Sequence, residues 1–120
     1  MSVVTPMQVE RRLKDLSKEL DTCHDYLVSA EEAYYITKAQ YEVSLAKSRL
    51  SLASKSSPTG KNYTVGERED MAIAENEELH FQIARAEAMV RAARANAARI
   101  KTQVDIARSI SVSVRSGMDI

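Results

Sequence analysis

A chain of 120 residues with three Gly, two Pro, no Trp and one Phe has too few turn formers and aromatics for a sandwich or barrel and reads as all-α. Seventeen basic residues balance seventeen acidic ones, so no net field draws nucleic acid, membrane or acidic ligand to the molecule as a whole, and any charge-based function is local. No apolar run approaches the roughly 20 residues of a membrane span, the start MSVVTPMQVE lacks the basic-then-apolar pattern of a leader, and the single Cys23 cannot close an internal disulfide. These features predict a cytoplasmic protein without a membrane partner.

In chain order, Thr5-Pro6-Met7-Gln8 is a capping box with Pro at the first helical position, and Val4 and Val9 sit at the spacing of a hydrophobic staple. Val9, Leu13, Leu16, Leu20, Cys23, Leu27, Ala30 and Tyr34 then follow a 4-3 spacing that repeats every seven residues, the pattern of a coiled-coil seam. Past Tyr34 the stripe continues through Lys38, Tyr41, Leu45, Ser48 and Leu52, which takes one extra four-residue step and predicts local unwinding of a supercoil. Beside it runs a second stripe, Ile36, Ala39, Val43, Ala46, Leu50 and Ala53. The first helix is therefore predicted over residues 6–54, with its second half apolar on two sides.

Residues 55–64 contain Ser-Ser-Pro-Thr-Gly and keep no helical period, which predicts a loop. Thr64-Val65-Gly66-Glu67 is a second capping box, and the acidic turn through Asp70 suits the positive end of a helix dipole. A second helix is predicted over 65–114, with a seam of Ala72, Leu79, Ile83, Ala86, Val90, Ala93, Ala97, Ile100, Val104 and Ala107 before Gly117 stops it. The alanines from Ala84 to Ala98 predict an alanine-rich core and close helix axes. Two helices of similar length joined by a short loop predict one domain, residues 1–120, folded as a long antiparallel helical hairpin. One partner helix covers only one stripe, so Ile36, Val43 and Leu50 are assigned to the interface of a homo-oligomer.

The charges are arranged in blocks. Residues 1–37 carry four basic and seven acidic groups, 38–63 five and one, 64–83 one and six, and 84–120 seven and three. In an antiparallel hairpin opposite signs face each other at both ends, which sets register at about 0.3–0.5 kcal/mol per exposed pair. The second block also reads as a phosphate-binding strip, formed by Lys47, Arg49, Lys55 and Lys61 with Glu42 as its single acid.

Catalytic and metal constellations are missing from the sequence. His24 follows Cys23 directly, and neighbours on a helix point about 100° apart, which rules out a nucleophilic dyad. Glu77 and His80 have Glu-x-x-His spacing, and Glu78 pairs with Gln82 at helical spacing, but the residues of the first helix facing them are basic or apolar, so a surface reading stands. Neither a Gly-rich phosphate loop nor zinc-ligand spacing is found. The sequence predicts no enzyme, no metal and no cofactor.

At Leu45-Ala46-Lys47-Ser48-Arg49-Leu50 the chain carries Lys-x-Arg-Leu late in a long first helix, followed by a short polar loop with Gly and an acidic-capped second helix. This arrangement resembles the UvsY-type recombination mediators of tailed phages. Lys47, Arg49 and Leu50 match the family's Lys-Ala-Arg-Leu motif, and Ser48 stands in place of its alanine. The resemblance implies a small, helical, ring-forming protein of the host cytoplasm in which the motif contributes to single-stranded DNA binding. Its implied partners are single-stranded DNA, a RecA-like recombinase and single-strand-binding protein, with the recombinase loaded onto coated strands. The competing expectation is a structural or adaptor coiled coil that binds a partner protein through its second stripe and has no nucleic-acid activity.

Overall fold

The computed structural model describes residues 4–117, and every regular element in that range is a helix. Helix α1 spans Pro6–Ala53, α2 spans Val65–Glu75 and α3 spans Glu77–Gly117. The expected domain, 1–120, runs three residues beyond this range at either end, outside the described residues. None of the helices is long and apolar enough to cross a membrane.

Local chemistry fixes the helix starts. Thr5 N–H donates to Gln8 Oε1 at 3.0 Å and Gln8 N–H donates to Thr5 Oγ1 at 3.2 Å, the reciprocal pair of a capping box. At α2, Glu67 N–H donates to Thr64 Oγ1 at 3.1 Å, while the same hydroxyl donates to Glu67 Oε1 at 3.1 Å. Between α1 and α2 the chain makes a tight turn, in which Gly60 N–H donates to Ser57 O at 2.9 Å and Ser57 N–H donates to Lys61 O at 2.8 Å. Pro58 pre-sets the turn's second position, and Gly60, at φ 80°, takes the left-handed conformation that a side chain disfavours. An isolated antiparallel bridge between Ser56 and Asn62 closes it.

The chain divides into two compact units, one formed by the chain up to Ser29 together with the chain from Arg91 onward, the other by Ala30–Val90. In the first, Leu16, Val104 and Ala107 form a buried cluster against which Leu13 and Leu20 pack. In the second, Leu45, Leu52 and Ala72 are buried together with Tyr41 and Met71 against them. Contacts in this unit descend α1 as they ascend the other strand of chain: Leu52 clusters with Ala72, Ser48 bonds Asn76, and Tyr41 meets His80. The two segments therefore run in opposite directions. Leu16 and Leu52 are the largest fully buried side chains, each contributing about 1.5–3 kcal/mol by burial, and the small Ala72, Ala93, Ala97 and Ala107 let axes come close at the cost of buried area.

Three expectations are corrected. The inward face of α1 passes through half-buried Thr37, not through Lys38, which is exposed. The added four-residue step therefore falls later than Tyr34, where the inward positions run Tyr34, Thr37, Tyr41, Leu45, Ser48 and Leu52. Thr37 is accommodated because its hydroxyl donates to Ala33 O at 2.8 Å. Second, the single helix expected over 65–114 is two helices that meet at Asn76. The Asn76 side-chain Nδ2 donates to Ala72 O at 2.7 Å, occupying the carbonyl that its own main-chain N–H would reach in an α-helix, and that N–H turns to Ile73 O at 3.1 Å. A side chain competing with its backbone in this way ends a helix. Third, the alanines are split between two faces: Ala93 and Ala97 are buried, whereas Ala84, Ala88, Ala92, Ala95 and Ala98 are exposed.

Candidate nucleic-acid interface

All four basic residues singled out by sequence belong to the unit Ala30–Val90, and all four are exposed. Lys47 and Arg49 project from the last turns of α1. Their directions differ by about 200° at 100° per residue, so they cannot grip one phosphate together. Lys55 follows the end of α1 and Lys61 lies in the turn; the Ser56–Asn62 bridge brings these two arms side by side. The structure therefore gathers Lys55 and Lys61 in one turn and sets Lys47 and Arg49 on opposite flanks of the helix leading into it.

What lies between those flanks is the second stripe. Ile36, Val43 and Leu50 are 52%, 55% and 75% exposed, on the side of α1 opposite Tyr41, Leu45, Ser48 and Leu52. Lys47 and Arg49 stand about 70° and 90° to either side of its centre. An open groove lined by Ala39, Gln40, Val43, Ser44 and Lys47 runs along one edge. Among the described residues, no side-chain hydrogen bond or ion pair holds Lys38, Lys47, Arg49, Lys55 or Lys61. The register-setting pairing that opposed charge blocks suggest is thus absent for this block. Its acidic counterparts Glu77 and Glu78 are exposed, and Glu78 Oε1 accepts from Gln82 Nε2 at 3.4 Å.

Cys23 and His80 each have neighbours in the fold, and His24 is exposed. Cys23 Sγ accepts from Asn96 Nδ2 at 3.2 Å, and the His80 ring lies 5.7 Å from Tyr41 and 6.3 Å from Phe81. Among the described residues no three His, Cys, Asp or Glu converge as metal ligands.

Sequence reasoning passed over the most specific polar cluster in the unit. Asn76 is only 7% exposed; besides Ala72 O, its Nδ2 donates to Ser48 Oγ at 2.9 Å, and its Oδ1 accepts from Ser44 Oγ. Every buried side-chain polar atom among the described residues has a partner. Extending the 4-3 spacing back from Leu79 to Ala72 lands on Asn76, a signal that counting only apolar residues discards. Comparison with protein-family models, curated proteins and solved structures gives no match for this chain.

Proposed function

We propose that this chain is a recombination mediator of the UvsY type: an antiparallel helical hairpin of coiled-coil character, assembled into a homo-oligomer, that binds single-stranded DNA and helps load a RecA-like recombinase onto strands coated by single-strand-binding protein. The observation that carries this reading is the block of five exposed cations in residues 38–63, Lys47, Arg49, Lys55 and Lys61 among them, whose side chains have no hydrogen-bond or ion-pair partner among the described residues. Cations left unneutralised by their own fold are available to phosphate. The opposed running of segments within the unit Ala30–Val90 supports the hairpin, and the exposed Ile36, Val43 and Leu50 support assembly.

One such strip on a neutral chain binds weakly. Repetition around an oligomer raises effective concentration and multiplies phosphate contacts along one strand. Base stacking contributes little, because Tyr41 and Tyr63, the aromatics nearest the strip in sequence, are half-buried. Binding is therefore salt-sensitive and tolerant of base sequence. The exposed apolar stripe also favours a second reading, an adaptor coiled coil without nucleic-acid activity.

Lys47→Ala and Arg49→Ala, singly and together, separate the two readings when affinity for a labelled single-stranded oligonucleotide and oligomeric mass are measured on the same samples. Weaker binding at unchanged mass supports phosphate contact. Loss of mass with loss of binding returns both residues to subunit association, and unchanged binding removes them from the DNA site.

A further inference from the structure

The unit Ala30–Val90 presents a second outward apolar face, on the opposite side from the first. Phe81 is 54% exposed at a position turned away from the buried Ala72, Asn76 and Val90, and exposed Ala74, Ala84 and Ala88 continue its row. Glu77 lies in this row between Ala74 and Phe81, Glu78 and Arg85 flank it, and the span 74–88 carries four acidic residues and one basic. The α1 face from Ile36 to Leu50 spans three basic residues, Lys38, Lys47 and Arg49, and one acidic, Glu42. The two faces both carry apolar residues, are opposite in net charge, and span the same number of residues: Ile36 to Leu50 is 14 steps along α1, roughly 21 Å, and Ala74 to Ala88 is 14 residues across the α2–α3 junction at Asn76.

They also lie at the same level. Tyr41 meets His80, and Ser44 and Ser48 both bond Asn76, so Val43 stands level with the start of α3 and Lys47 with the α2–α3 junction. A second copy placed alongside without sliding brings its Phe81 level with the groove beside Val43, and its Glu75, Glu77 and Glu78 level with Lys47 and Arg49. We infer that the occupant of the α1 stripe is the Phe81 face of a second copy of this chain, in a head-to-tail interface with an apolar centre and rims of opposite charge. This rests on the homo-oligomer reading and adds to it which surface meets which. Because the faces point away from each other, every added copy leaves one face of each kind free, so the contact either closes into a ring or continues as a filament. Rim charges of opposite sign fix orientation and speed encounter more than they add affinity.

Complementation between two defective copies tests the inference. Val43→Glu spoils the α1 face and Phe81→Glu the α3 face; both positions are exposed, and unchanged helical circular dichroism confirms that each variant folds. Each variant alone is expected to run at the 13.4 kDa monomer mass by light scattering. An equimolar mixture holds one intact pair of faces and is expected to give a species of twice that mass and none larger. A Phe81→Glu variant that keeps the wild-type mass overturns the inference while leaving the α1 stripe as an interface. Two monomeric variants that stay monomeric when mixed show that the two faces do not meet each other and also overturn it. A wild-type protein that is itself monomeric removes the homo-oligomer reading along with it.

Discussion

Replacing Asn76 by alanine tests how the unit Ala30–Val90 is held in register. The side chain makes three bonds, to Ala72 O, Ser48 Oγ and Ser44 Oγ, in a position 7% exposed. At about 0.5–1.5 kcal/mol net per bond, their loss costs roughly 1.5–4.5 kcal/mol. Two effects reduce this. Ser44 and Ser48 are half-buried and regain water, and alanine improves helix propensity by up to about 0.7 kcal/mol, with the main-chain N–H of residue 76 free to return to Ala72 O. A net loss of about 1–3 kcal/mol follows, which for a chain of this size lowers Tm by roughly 5–15 °C. Thermal unfolding of both proteins at one concentration reads the shift. Hydrogen exchange at the amide of residue 76 should slow as α2 and α3 merge. A double-mutant cycle with Ser44→Ala should show coupling of about 0.5 kcal/mol or more. An Asn76→Ala protein as stable as the wild type, with unchanged exchange at the junction, would refute the argument that this amide both breaks the helix and ties it to α1.

Leu52→Ala, at a side chain 1% exposed beside Ala72, should cost about 2–4 kcal/mol in urea unfolding; Leu50→Ala, two residues away and 75% exposed, should cost less than about 0.5 kcal/mol at concentrations too dilute for assembly. Thr64→Ala removes the hydroxyl that receives Glu67 N–H and should cost about 1 kcal/mol, seen as faster exchange in the first turn of α2. For DNA binding, Arg49→Ala should weaken affinity equally for unrelated oligonucleotide sequences and lower the slope of log affinity against log salt by up to about 1 for each phosphate no longer neutralised.

The starts of α1 and α2 were legible because caps are local: Thr5 with Gln8 and Thr64 with Glu67 need only a three-residue spacing. The seam was legible where it is apolar and misread where it is polar. Thr37 and Ser44 on α1 and Asn76 and Ser111 on the facing segments sit inward with hydrogen bonds that composition does not reveal; Ser111, for instance, accepts from Arg115. An apolar count alone places the stripe on Lys38 in place of Thr37 and joins α2 to α3 across Asn76. Exposure of Lys47, Arg49, Lys55 and Lys61 was legible from their charge. Their lack of partners was not, because block charges report net attraction and leave open whether the opposing carboxylates turn inward. Glu77 and Glu78 fall beside Phe81 on the outward face, beyond reach of the strip in the same unit.

The most direct test of the proposed function is a fluorescence-anisotropy titration of wild-type protein with a labelled single-stranded oligonucleotide at low and moderate salt, with oligomeric mass followed by light scattering. A mediator of this kind should show saturable binding by an oligomer, little dependence on base sequence, and affinity that falls several-fold or more as salt rises from about 50 to 200 mM. An assembled protein that gives no salt-sensitive binding at either condition would contradict the mediator reading and leave the chain as a structural or adaptor helical protein.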